Sequence, residues 1–197
     1  MKYEAKEYDV EPDVSAACYF YALAPLLRVN VKVKDVHMDC LQGDIKSLKV
    51  LVRMGCKLED EEDGVLMHPP KEKFLGGSFD LSTFSDQALT LAAIAPFARS
   101  KVCIMNVGHI RYQECNRINA IVKNLSKMGI AAIEQGNNVF ILPGKPAGCE
   151  VETFDDHRVA MAFSLIGTLV DGVEIQNPAC TKKTFENYFE VLEESVY

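Results

Sequence analysis

Hydrophobic and polar positions along the chain recur in a pattern of about seventy residues. Three mostly apolar segments each open on an acidic residue: PDVSAACYFYALAPLL with Asp13, SDQALTLAAIAPFA with Asp86, and DDHRVAMAFSLIGTLV with Asp156. The three acids are spaced by 73 and 70 residues. Segments apolar on nearly every face predict buried helices, and their even spacing predicts repeated units. A short β-branched run follows each helix: RVNVKVKDV from Arg28, SKVCIMNV from Ser100 and DGVEIQNP from Asp171. An amphipathic helix comes next in every unit, starting near Gly43, Gln113 and Lys183. In the first two units that helix ends at Met-Gly and a hairpin follows, turning at Asp63-Gly64 and near Gly136-Asn137-Asn138. The sequence stops at Tyr197 before a third hairpin, so those strands are expected from elsewhere.

This order of elements predicts an α/β (α+β) fold, one domain over residues 1–197 whose similar units share a core. The units span about 8–72, 80–145 and 150–197, and the third is incomplete. Hydrophobic residues make up 48% of the chain, enough for such a core. The glycine- and proline-bearing stretches His68 to Phe79 and Pro143 to Cys149 are expected as loops between units. The acidic run Glu59 to Asp63 is expected as a solvated hairpin tip. No apolar stretch is long enough to predict a membrane span. The charged residues after Met1 do not resemble a signal peptide, so a cytoplasmic protein is expected. Seven cysteines without a Cys-x-x-Cys pair predict free thiols in a reducing compartment and no zinc site. The net charge of −7 argues against nucleic-acid partners, which need many cationic phosphate contacts.

Polar residues with chemical potential gather at the predicted helix starts. Asp86 stands before an apolar helix, where an N-cap is the ordinary role of aspartate. Glu114 and Arg117, three apart in the run Arg111 to Arg117, are expected to share a helix face. Asp155-Asp156-His157-Arg158 puts two carboxylates, an imidazole and a guanidinium before a buried helix. A cap needs one polar group, so the surplus points to a site. Lys183 is read as opening the last helix, unfavourable for the helix dipole but suited to an anionic ligand. If the units pack around a pseudo-threefold axis, Arg117, Arg158 and Lys183 converge on a small anion such as a phosphate or carboxylate. Asp86 and Glu114 beside them are candidates for proton transfer. No Walker loop, Gly-x-Gly-x-x-Gly, His-x-x-x-His pair or serine-hydrolase elbow occurs.

VEPDVSAACYFYALA, LQGDIKSLKVLVRMG, the QECNRI region, FDDHRVAMAFSLIG and PACTKKTFENYFEVL together resemble the C-terminal half of the 5-enolpyruvylshikimate-3-phosphate synthase family. The resemblance covers nearly the whole chain, and FDDHRVAMAF combined with CTKKTFENYF is its most specific part. It implies β-α-β-α-β-β units in two similar domains, the third unit here being completed by the start of the polypeptide. It also implies transfer of the enolpyruvyl group of phosphoenolpyruvate to the 5-hydroxyl of shikimate 3-phosphate, in the shikimate pathway to chorismate and the aromatic amino acids. No metal or organic cofactor is implied, and glyphosate is expected to compete. By position, Asp86 matches the carboxylate beside the acceptor hydroxyl, a candidate base, and Glu114 matches a residue of proton exchange at the enol carbon. Arg117, Arg158 and Lys183 match cations that hold phosphoenolpyruvate, Lys183 being counted also as catalytic. Asp156 and His157 fall in the same substrate-binding motif.

Four positions depart from the family pattern. Gln113 stands in place of a lysine, removing a charge-assisted contact of about 1.5–3 kcal/mol near the acceptor. Cys115 and Asn116 replace a Thr or Ser and an Asp, and His109 stands where an asparagine often meets the acceptor. The N-terminal domain, which carries further ligands, is expected to act in cis or in trans, and this chain alone is expected to lack turnover. Enolpyruvyl transfer to another acceptor such as UDP-N-acetylglucosamine, a noncatalytic binding domain, and an RNA 3′-phosphate cyclase-like domain remain as alternatives.

Overall fold

In the computed structural model, which describes Glu7 and residues 10–196, the first apolar segment forms helix α1 (Val14–Leu23), closed by a π turn over Ala24–Arg28. Asp13 caps α1 by accepting from the Ala16 backbone N–H at 3.1 Å. Strand β1 (Val31–Lys34), helix α2 (Lys46–Arg53) after a 3-10 turn, and the hairpin β2 (Lys57–Glu61) to β3 (Gly64–His68) complete the first unit. The expected start of that unit at residue 8 lies outside the described residues. The second unit runs β4 (Gly77–Asp80), α3 (Ala88–Ile94), β5 (Val102–Met105), α4 (Arg117–Lys127), β6 (Ala132–Gln135) and β7 (Asn138–Ile141). The third comprises β8 (Glu150–Val151), α5 (His157–Gly167), β9 (Glu174–Ile175), a 3-10 segment over Pro178–Lys183 and α6 (Tyr188–Val196).

The sheets share one order. The second is β4-β5-β7-β6, with β4 and β5 parallel and the hairpin antiparallel. The first, β1-β3-β2, is that order without its leading strand, and the third, β8-β9, is its first parallel pair alone. Among the described residues only the second unit has all six elements. Helices α1, α3 and α5 touch one another, and their side chains join one continuous apolar core. This is why these helices are apolar all round: two faces meet sister helices and a third meets a sheet. Among the described residues no helix is long and apolar enough to cross a membrane.

Four local expectations are corrected. Strand β4 lies within the stretch read as a loop, so the second unit begins at Gly77 rather than near residue 80. Gly76, just before the strand, serves close approach: a Cβ there would stand 2.1 Å from the Ser100 carbonyl oxygen and 2.4 Å from that of Lys101. Helix α4 begins at Arg117 behind an Asn116 cap, not at Gln113, because the Asn116 side chain takes the Asn119 N–H. The last helix begins at Tyr188, and Lys183 instead ends the 3-10 segment that Pro178 opens. The acidic run Glu59 to Asp63 forms β2 and its turn, where Lys32 of β1 pairs with Glu61 and Asp63. All seven cysteines are free, three of them buried.

Candidate active site

Four polypeptide segments bring their polar ends to one open cleft. Its lining is Asp86, Gln113, Glu114, Arg117, His157, Arg158, Lys183 and Thr184, around about 840 Å³ of space open to solvent. Asp86 comes from the 3-10 turn Ser85–Gln87 that leads into α3. Gln113 and Glu114 lie in the irregular backbone before α4, and Arg117 is the first residue of that helix. His157 and Arg158 open α5, and Lys183 closes the 3-10 segment before α6.

Asp86 does not cap its helix. Its carboxylate is taken by cations: Oδ1 accepts from an Arg117 terminal nitrogen at 2.8 Å, and Oδ2 lies 3.1 Å from Arg158. Gln113 completes this group, its amide oxygen accepting from Arg117 at 2.6 Å and its amide nitrogen donating to Asp86 at 3.3 Å. An amide both donates and accepts, so it can bridge an arginine and a carboxylate in a way that lysine cannot. Nor does Glu114 pair with Arg117. Because Glu114 precedes the helix, its two oxygens reach His157 Nδ1 at 2.9 Å and Lys183 Nζ at 2.6 Å.

Asp156 is fully buried and caps α5 through the Arg158 N–H while holding Arg117 through Nε at 2.7 Å. The Cys115 thiol also donates to it, at 3.5 Å. It therefore stands behind the cleft and fixes Arg117, whose side chain is itself 3% exposed. Arg117 forms the floor with its charge met by two carboxylates, leaving Arg158 and Lys183 as the cations that face the opening. His109 lies outside the lining and bonds Ser85 Oγ at 2.8 Å, beside Asp86. Thr184 was missed at the sequence level, since a threonine after two lysines carries no pattern.

Electrostatics follow from this packing. Burial works to raise the Asp156 pKa, but the Arg117 hydrogen bond and charge outweigh it and hold the carboxyl below its usual range. Burial depresses the His157 pKa, only partly offset by Glu114 and Asp156, so a neutral imidazole is favoured at neutral pH. Burial pushes the Cys115 thiol up to about 12, which leaves it protonated and a poor nucleophile. Glu114, Asp156 and His157 bring one ligand atom each within 4.8 Å of one another. Both carboxylates are already bonded to cations, however, and Arg117 and Lys183 oppose a metal ion there. The arrangement is suited instead to holding a small anion and moving protons at its edge.

Residues 2–192 match the family described as EPSP synthase (3-phosphoshikimate 1-carboxyvinyltransferase). The chain is 45% identical to the 3-phosphoshikimate 1-carboxyvinyltransferase of Nostoc punctiforme (strain ATCC 29133 / PCC 73102), over 96% of this chain and 44% of that protein. It is 42% identical to the protein of the same name from Trichormus variabilis (strain ATCC 29413 / PCC 7937), with the same two coverages. The EPSP synthase structure from Acinetobacter baumannii superposes with a TM-score of 0.84 at 21% identity, covering 93% of this chain and 45% of that one. The chain thus spans less than half the length of the curated relatives it matches.

Proposed function

Because the chain belongs to the EPSP synthase family, we propose that it is one half of a shikimate-pathway enolpyruvyl transferase, joining phosphoenolpyruvate to the 5-hydroxyl of shikimate 3-phosphate with release of phosphate. The observation that carries this reading is the meeting of Asp86, Glu114, Arg158 and Lys183, from four separate segments, in one cleft. Arg158 and Lys183 hold the anionic groups of phosphoenolpyruvate. Asp86 accepts the proton of the acceptor hydroxyl as its oxygen adds to the enol carbon bearing the phosphate. Lys183 and Glu114, 2.6 Å apart, supply a proton to the neighbouring methylene carbon. The tetrahedral adduct then loses that proton equivalent and phosphate, restoring the enol ether. His157, neutral and bonded to Glu114, orients the carboxylate. Asp156 acts by fixing Arg117, and no metal or organic cofactor takes part.

The partner is the N-terminal domain, in cis or in trans. This assignment is supported by the third sheet, where β9 holds the place that β5 holds in the second but lacks a following hairpin. A groove lined by Val173, Ile175, Phe189 and Leu192 lies beside it, sized for side chains of such strands. The units are related by a pseudo-threefold axis through α1, α3 and α5, and the protein acts in the cytoplasm. Gln113 favours a second reading, an altered acceptor, because its amide is engaged with Arg117 and Asp86 where the family pattern places a cation.

Phosphate release from phosphoenolpyruvate and shikimate 3-phosphate tests the proposal, first with this chain alone and then with an N-terminal domain supplied. No turnover alone and steady turnover with the domain are expected, with inhibition by glyphosate. Steady turnover by the chain alone would refute the half-site reading. Inactivity of the joined protein toward shikimate 3-phosphate, with activity on another hydroxyl acceptor, would establish the second reading.

A further inference from the structure

We propose that Arg111 is a positioning residue for Glu114, its guanidinium clamping the segment that leads into the cleft onto the tip of the hairpin formed by β6 and β7. Nε donates to the Glu134 carboxylate at 3.0 Å, and one terminal nitrogen donates both to that carboxylate and to the Gly136 carbonyl. The other terminal nitrogen turns back to the Gly108 carbonyl at 3.0 Å. Gly108 opens the 3-10 segment in which Arg111 stands, and Gly136 lies in the hairpin turn at φ 59°. One side chain thus joins the backbones of two elements, a span that five N–H donors in a fixed fork allow and the single nitrogen of a lysine does not. Backbone groups close the same seam: the Val107 N–H donates to the Asn137 carbonyl at 2.9 Å, and the Asn106 N–H to Asn138 Oδ1 at 3.0 Å. Gly108 permits this approach, since a Cβ there would stand 2.1 Å from Asn137 Oδ1.

An exposed Arg–Glu pair contributes little by itself, and a surface ion pair is the ordinary role for Arg111 and Glu134. The two carbonyl bonds separate the clamp from such a pair, as does the partial burial of the Arg111 side chain, which is 20% exposed. What the clamp holds bears on the chemistry. Tyr112, Gln113 and Glu114 follow as exposed residues, between Ile110, which is fully buried, and the Asn116 cap of α4. Within the cleft, Gln113 bonds Asp86 and Arg117, and Glu114 bonds His157 and Lys183. Asp86 and Lys183 are the groups that the two substrates claim, so those bonds loosen as substrates enter. Glu134, Gly136 and Gly108 lie outside the cleft lining, so the clamp persists through that exchange and keeps Glu114 within reach of the methylene carbon. Arg158 and Lys183, which hold phosphoenolpyruvate, belong to the third unit and do not depend on it.

This inference rests on Glu114 supplying a proton in enolpyruvyl transfer. Arg111→Ala tests it, with hydrogen exchange and a crystal structure of the 197-residue chain, and kinetics in the presence of the N-terminal domain. The expected results are faster exchange confined to the amides of Tyr112 to Cys115, a Glu114 displaced from His157, and a kcat lowered by roughly ten- to hundredfold with the KM for phosphoenolpyruvate within about threefold of its original value. Arg111→Lys, which keeps the charge and a pairing with Glu134 but not the span, should fold and lose most of the same kcat. Exchange raised throughout the chain, with kcat and KM impaired alike, would reduce Arg111 to a stability residue. An unmoved Glu114 with unchanged kcat, or full activity in Arg111→Lys, would overturn the proposal. If the wild-type chain supplied with that domain shows no enolpyruvyl transfer, the functional reading fails, while the exchange and the position of Glu114 in the Arg111 variants still decide the role of Arg111.

Discussion

Arg117 and Lys183 show how two cations in one cleft come to different roles. Arg117 is almost wholly buried between Asp86 and Asp156, and removing one partner of such a pair strands the other charge. Asp156→Ala should therefore cost about 3–5 kcal/mol, a Tm drop of roughly 10 °C or more, read by calorimetry. Lys183 is 62% exposed, so Lys183→Met should leave Tm within about 2 °C. In the joined enzyme it should lower kcat by about 100-fold or more. The pH dependence of stability follows the same groups. His157 has a depressed folded pKa, so the unfolded chain binds the proton first, and stability falls as pH drops below the unfolded value of about 6.5. Asp156, also depressed, contributes stability that is complete above about pH 4 and is lost as pH falls through its folded pKa. Urea unfolding from pH 8 to pH 3 should show both losses, and His157→Gln should abolish the first while keeping the second.

Strand β4 is the element that periodicity did not reveal. Four residues, opening on the second of two adjacent glycines, carry too little alternation to distinguish a strand from a loop. What makes it a strand is its parallel pairing with β5, from Gly77↔Val102 to Asp80↔Met105, a partner some 25 residues on. Gly76→Ala should destabilise the chain by about 3 kcal/mol, because its Cβ meets rigid backbone oxygens rather than a side chain that can move. Chemical denaturation of that variant measures the effect. The helices were more legible. Continuous apolarity marked α1, α3 and α5, and Met-Gly marked the ends of α2 and α4 with glycines at φ 112° and 77°. Helix starts were less so: Asp13 and Asp156 cap, whereas Asp86 is drawn away by two arginines that no local window contains.

At the scale of the molecule, three sheets drawn on one plan are filled to different extents. The third stops at β9, and hydrogen exchange of Val173 to Ile175 should slow when the N-terminal domain is supplied, provided that domain adds strands there. Unchanged exchange would place the domain elsewhere. The sequence by itself determined the repeats, the three buried helices, both hairpins and the set of ionisable residues near the helix starts, because apolar periodicity and turn residues act over short stretches of chain. Only the tertiary structure decided which charges meet. Glu114 finds Lys183, 69 residues away, and Arg117 takes one carboxylate, Asp86, from its own unit and another, Asp156, from the third. Pairing of that kind depends on distances and burial created when separate units share a core, and a one-dimensional pattern of polar and apolar residues carries neither.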